Sequence, residues 1–201
     1  PEEYRRGEGT SFAAPLVSAA AALLVAVRPE LTPNQIAALL RASATDISRA
    51  GRDAKTGFGR LDIAAAVARL AEPLPAGDRF EPNDNAGSGA FRMFFAPKAR
   101  SRVLAGTLDF YDDERDVYAV RLKRGQRLTV TYRAGASLDA DLVIWSPGTK
   151  AVESSVPLRE IAGLGTRART RYRARRGGWH FVELRARRSS AGDYRVAVAR
   201  G

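Results

Sequence analysis

The octet Glu8-Gly9-Thr10-Ser11-Phe12-Ala13-Ala14-Pro15 holds the side chain best suited to covalent chemistry in this chain. A serine that attacks an acyl carbon needs exposure, a fixed orientation and a nearby site for developing negative charge. Gly9 and Thr10 give Ser11 a small, tight approach, and the apolar run over residues 12–27 reads as a helix. Ser11 is thereby predicted at a helix N-terminus, where unbonded backbone N–H groups and the helix dipole favour an oxyanion. Pro15 lacks the N–H that would bond the Ser11 carbonyl, so the first turn is expected to be distorted. The plain alternative is a serine that caps an ordinary core helix.

Acyl transfer by serine also needs a base to take the hydroxyl proton and a carboxylate to orient that base. The ten residues before Ser11 contain neither histidine nor aspartate. The single histidine, His180, lies in the strand-like run Trp179-His180-Phe181-Val182 and is expected to be structural.

The apolar run over residues 12–27 is short, and interrupted by Pro15 and Ser18, against the ~20 residues that span a bilayer, so no membrane span is expected. A helix apolar on nearly every face must be covered by protein. Arg28-Pro29-Glu30-Leu31 ends it, and Thr32-Pro33 starts a second helix with a cap and a proline at the first position. Ile36, Leu39 and Leu40 give that helix a buried stripe. Residues 46–56 read as a polar loop, and Gly57-Phe58-Gly59-Arg60-Leu61-Asp62 as a turn into a third helix over 63–71, with Asp62 as its cap.

Five positions of the octet, Gly9, Thr10, Ser11, Ala13 and Pro15, match G-T-S-x-A-x-P, and the segment resembles the serine motif of the subtilisin-like serine peptidases. The nucleophile elbow G-x-S-x-G is excluded by Ala13. Pro29-Glu30-Leu31-Thr32, Gln35-Ile36 and the Gly57–Asp62 turn are similar to the end of the same catalytic domain, so the resemblance covers about residues 7–71. It implies a secreted bacterial endopeptidase with Ser11 as nucleophile and a protein or peptide as substrate. In that family Asp and His precede the serine, as does the asparagine of the oxyanion hole. The sequence opens at Pro1 without a methionine, and the missing N-terminal part of the catalytic domain is expected to precede it. This chain alone is then predicted to be inactive. The chemistry requires no cofactor.

Residues 73–77 are a Pro/Gly linker, after which the apolar period changes to two. Strands are predicted over 103–110, 116–122, 127–133, 141–145, 150–156, 170–175, 179–185 and 194–199. Eight short strands read as a β-sandwich. The fold class is therefore mixed: an α-helical C-terminal remnant of an α/β subtilisin-like domain (1–72), then an all-β, jelly-roll-like sandwich (78–201). Phe80-Glu81-Pro82-Asn83-Asp84, Gly106-Thr107-Leu108, Asp116-Val117-Tyr118-Ala119-Val120 and Gly192-Asp193-Tyr194-Arg195-Val196 resemble the pre-peptidase C-terminal domain of secreted bacterial peptidases. Some relatives of that domain depend on calcium, and two acidic groups here could supply oxygen ligands for Ca²⁺ if they meet. The first is Asp78, Glu81, Asn83 and Asp84; the second is Asp109, Asp112, Asp113, Glu114 and Asp116. Solvated turns would account for the same residues.

The chain has no cysteine, which excludes disulfides and thiolate metal sites. Its net charge of +11 is uneven: residues 1–72 hold nine Lys/Arg against eight Asp/Glu, and the remainder holds 24 against 14. Arg167, Arg169, Arg171, Arg173 and Arg175 alternate, so a strand would place all five on one face, with Arg185, Arg187 and Arg188 as an extension. Such a stripe could hold an anionic polymer, a cell surface or nucleic acid, the last not favoured. A solvated face that blunts a sheet edge is the plain reading. A non-catalytic β-sandwich binding module thus stands as the rival to the enzyme.

Overall fold

The computed structural model describes residues 9–48, 55–74, 77–187 and 190–201. Expectations for residues 1–8, 49–54, 75–76 and for Arg188 fall outside these. The chain divides into two compact units, Pro1–Leu74 and Pro75–Gly201.

The first unit is helical: a 3₁₀ turn at Thr10–Phe12, then α1 (Ala14–Val27), α2 (Pro33–Ser43) and α3 (Ile63–Arg69). At the start of α2, the Thr32 hydroxyl accepts from the Gln35 N–H at 3.2 Å and the Gln35 side chain accepts from the Thr32 N–H at 3.0 Å. This reciprocal cap, with Pro33 at the first helical position, fixes where the helix begins. Asp62 caps α3 by accepting from the Ala65 N–H at 2.9 Å. Thr45 and Arg60 pair their backbones in both directions at 2.8 Å. That bridge brings the Thr45 carbonyl to within 2.2 Å of where a Gly59 Cβ would stand, so only glycine fits. Ala20 and Leu24 of α1 are enclosed, whereas Phe12, Leu16, Leu23 and Val27 are each half or more exposed. Among the described residues of this unit no strand packs on α1, and α2 and α3 leave these side chains uncovered. By length and composition alone, Thr10–Val27 would also suffice to cross a membrane.

The second unit is a sandwich of two sheets. Its strands are β1 (Phe91–Arg92), β2 (Ser101–Leu108), β3 (Arg115–Leu122), β4 (Arg127–Ala134), β5 (Ala140–Trp145), β6 (Arg159–Ile161), β7 (Arg167–Arg173), β8 (Gly178–Ala186) and β9 (Gly192–Arg200). The sheet orders are β1-β3-β8-β5-β6 and β2-β9-β4-β7, antiparallel except for β1 beside β3. Setting β1 aside, the eight remaining strands follow the order of a two-sheet jelly roll. Alternation decides the register: Leu128, Val130 and Tyr132 of β4 and Val196 and Val198 of β9 face Tyr118, Leu142, Val182 and Leu184 across the core.

Two strand expectations need correction. Residues 150–156 form turns instead of a strand: the Ser155 hydroxyl donates to the Ala151 carbonyl at 2.7 Å, and the Val152 N–H donates to the Asn85 side chain at 3.0 Å. The stripe strand runs Arg167–Arg173, so Arg175 lies beyond it in a bend. Residues 150–156 nevertheless do structural work, because Val152 joins Ala86, Val117, Val143, Trp145 and Phe181 in a second apolar layer. That layer covers the outer face of the five-stranded sheet, whereas the outer side chains of β7 stay exposed.

Candidate functional site

Ser11 occupies the middle of the 3₁₀ turn and is exposed. The Gly9 carbonyl accepts from Phe12 N–H at 3.1 Å, and the Thr10 carbonyl accepts from Ala13 N–H at 3.0 Å. Gly9 has φ 150°, which lets the chain turn sharply into the helix. Pro15 sits in the first turn of α1, whose regular bonding starts only after Ala13. A hydroxyl at this point projects from a tight turn at the positive end of a 14-residue helix. His180 sits in the second unit, fully buried, with its ring 5.6 Å from that of Tyr172 and its Nδ1 3.3 Å from the Gly178 carbonyl. Burial lowers its pKa, so it is a neutral core residue.

The two acidic groups of the second unit meet in space. Asp78, Glu81 and Asp116 bring carboxylate oxygens within 4.8 Å of one another, as do Glu81, Asp84 and Asp113, so Glu81 belongs to both sets. Hydrogen bonds within and between the two turns build this convergence. Asp78 accepts from Phe80 N–H at 2.7 Å and reaches across to Thr107 N–H at 3.1 Å. The Asn83 carbonyl accepts from Val117 N–H at 2.8 Å, and its side-chain amide donates to Asp116. Asp109 gathers the N–H groups of Tyr111 and Asp112 at 2.6 and 2.9 Å, which folds the second turn back on itself. Tyr194 donates to Asp116 from the far sheet and also meets the Tyr118 hydroxyl.

The electrostatics are those of crowded, dehydrated carboxyls. Burial and the nearby Asp84 push Glu81 up to about 7. Burial and Asp116 push Asp113 up to about 9. Burial raises Asp116 to about 7 against the opposing pull of its bonds from Tyr194 and Asn83. Asp84 is raised by burial while Arg115 counters it. Asp113 is fully buried, yet both its carboxylate oxygens lack a hydrogen-bond partner, as do one oxygen each of Glu81, Asn83 and Asp109. Buried anions without partners are costly. Hard oxygen donors converging in this way fit a dication such as Ca²⁺.

The basic stripe is real but differently bounded. Arg167, Arg169, Arg171 and Arg173 are exposed along β7. Arg185 and Arg187 do not extend it. Arg185 pairs with Glu160 at 2.8 Å and Asp141 at 3.3 Å, and Arg187 pairs with Asp141 at 3.3 Å. Their charge is neutralised on the other sheet. A cleft of about 1150 Å³ lined by Lys98, Arg100, Arg121, Lys123 and Gln126 is not legible in the sequence. Its cations come from separate turns and strand ends, and no spacing in the sequence joins them.

Residues 2–59 match the model of the subtilase family, so the first unit carries subtilase-family sequence. An extracellular serine protease of Serratia marcescens is 39% identical over 64 residues, 32% of this chain and 6% of that protein. Mycosin-2 of Mycobacterium tuberculosis is 45% identical over 74 residues, 37% of this chain and 13% of its own length. The neisserial autotransporter lipoprotein NalP of Neisseria meningitidis is 40% identical over 70 residues, 35% of this chain and 6% of its own. The chain therefore spans only a small part of the relatives it matches. Among solved structures, the pre-peptidase C-terminal domain of a Bacillus anthracis collagenase aligns with 54% of this chain and 93% of its own, at 15% identity and a TM-score of 0.42. Aeromonas hydrophila PliG, a periplasmic lysozyme inhibitor, aligns over 56% and 96% at 22% identity and a TM-score of 0.45.

Proposed function

We propose that this chain is the C-terminal part of a secreted subtilisin-like serine endopeptidase followed by a pre-peptidase-type accessory domain. The observation that carries the reading is Ser11 in a 3₁₀ turn at the head of α1, inside the stretch matched by the subtilase family. In the complete enzyme the Ser11 oxygen attacks the carbonyl carbon of a peptide bond. Its proton passes to a histidine contributed by an earlier segment and oriented there by an aspartate. Backbone N–H groups at the head of α1 stabilise the oxyanion. The amine leaves with that proton, and water then hydrolyses the acyl-enzyme.

The exposed face of α1 fits the same reading. Phe12, Leu16, Leu23 and Val27 would be covered by the missing N-terminal part of the catalytic domain, which makes α1 a core helix and not a membrane span. In the second unit, Asp78, Glu81, Asp84, Asp113 and Asp116 would hold Ca²⁺, whose charge would compensate their buried carboxylates. Calcium takes no part in peptide hydrolysis here.

Incubating residues 1–201 with a chromogenic peptide and a fluorophosphonate probe tests the fragment reading. Neither turnover nor labelling is expected. Robust turnover by this chain alone would overturn it. A second reading, a binding module for an anionic polymer, is favoured by one observation, the exposed arginine row of β7.

A further inference from the structure

The outer face of the four-stranded sheet carries more arginine than β7 alone. Arg127 and Arg133 of β4 and Arg195 of β9 point to the same side as Arg167, Arg169, Arg171 and Arg173. The register sets like charges directly opposite one another: Arg127 faces Arg173, and Arg133 lies between Arg167 on one side and Arg195 on the other. Cross-strand like charges cost stability. Among the described residues, none of these seven has a carboxylate within ion-pair distance, and only the Arg173 guanidinium donates, to the Gly125 carbonyl at 3.2 Å. Arg185 and Arg187, by contrast, share Asp141. The chain thus pairs Arg185 and Arg187 with Asp141 and leaves these seven, among the described residues, without a carboxylate partner.

Protection of a sheet edge does not account for this. β7 is an edge strand, but β4 and β9 are interior ones, where no edge needs blunting. The floor between the arginines is small and flat, made of Thr129, Thr131, Ala197 and Ala199. Alternate residues along a strand are about 7 Å apart, so the face presents parallel rows of guanidinium forks suited to bidentate contact with sulfate or carboxylate groups. The outward positions of β2, β4, β7 and β9 hold no aromatic ring on which bases could stack, as single-stranded nucleic acid binding requires. A broad flat sheet does not enter a duplex groove. Val103 is the one large apolar side chain at those positions, too little to enter a bilayer.

One end of this face runs into the basic cleft. There Arg127 N–H donates to the Gly201 carbonyl at 2.8 Å, and Arg200 N–H donates to the Arg100 carbonyl at 2.7 Å, which ties the last strand to the cleft wall. The Arg200 guanidinium is consumed by the carbonyls of Ala99, Pro97 and Arg121 at 2.8–2.9 Å. Lys98, Arg100, Arg121 and Lys123 remain to meet a ligand, and no acidic residue lines the cavity.

We propose that this face binds a linear anionic polysaccharide, bearing sulfate or uronic acid groups, that runs along β4 and β7 and ends in the cleft. The proposal does not depend on Ser11, and its failure would leave the peptidase reading untouched. The test titrates residues 1–201 with a heparin oligosaccharide, an oligogalacturonate and a single-stranded oligodeoxynucleotide of matched charge. The triple variant Arg133→Ser/Arg169→Ser/Arg171→Ser alters exposed positions only, and circular dichroism checks that it keeps the fold. Expected are saturable glycan binding that weakens with salt, a loss of about tenfold or more in the triple variant, and no change in Lys150→Ser. Equal affinity of the triple variant, absence of glycan binding, or an oligonucleotide that binds as tightly as the glycans would each overturn it.

Discussion

Asn83 and Asp116 meet in the interior of the second unit, where the Asn83 amide donates to one Asp116 oxygen while Tyr194 donates to the other. This contact joins the two acidic turns and holds Glu81, Asp113 and Asp116 in one dehydrated cluster. Glu81 and Asp116 are raised to about 7 and Asp113 to about 9, so the folded protein keeps protons that the unfolded chain releases near pH 4. In chelator, the contribution of these three groups to stability is therefore fully present below about pH 4 and is lost as pH climbs through about 7 to 9. Calcium favours the ionised forms and reverses the loss. Melting temperature should therefore respond weakly to millimolar calcium near pH 5 and strongly near pH 8. A calcium response that is absent at both would contradict the site.

Asp113 should separate the cost of the cluster from its use. Replacing it with asparagine removes a buried carboxyl that has no partner on either oxygen. In chelator near pH 8, Asp113→Asn is expected to be neutral or more stable by about 1–3 kcal/mol, and to lose most of the calcium-induced rise. Thermal unfolding with and without calcium measures both. An unchanged calcium response would remove Asp113 from the ligand set.

Gly106 holds the floor of the same site. A Cβ there would stand 2.4 Å from an Asp78 carboxylate oxygen and 2.6 Å from the Tyr194 hydroxyl. Gly106→Ala must displace one of them, and overpacking of this kind costs about 1–3 kcal/mol. Chemical denaturation should show that loss together with a weakened calcium response. A variant as stable as the parent would mean that the hydroxyl and carboxylate move freely.

The sequence made some of this legible and hid the rest for definite reasons. Thr32 and Asp62 act through bonds to residues within a few positions, and Ser11 stands in a motif of contiguous residues at the head of α1, so local spacing reveals all three. The alternation in β3, β4 and β9 reveals strands because one face of each packs into a single core. Residues 150–156 carry the same alternation, but Val152 packs on the outside of a sheet that is covered on both faces, which mimics a strand. β1 is two residues long and gives no period at all. The meeting of Asp78 with Thr107, and of Arg133 with Arg195, depends on which strands become neighbours in the jelly roll. Nothing local encodes that order. Arg185 and Arg187 looked like an extension of the β7 row because they are close in sequence, yet Asp141 takes their charge.

The most direct measurement is on the full-length protein with Ser11→Ala, assayed for peptide hydrolysis and fluorophosphonate labelling beside the parent. Loss of labelling and a fall in turnover of about four to six orders of magnitude are expected, with the fold intact. Activity and labelling retained in Ser11→Ala would contradict Ser11 as the nucleophile.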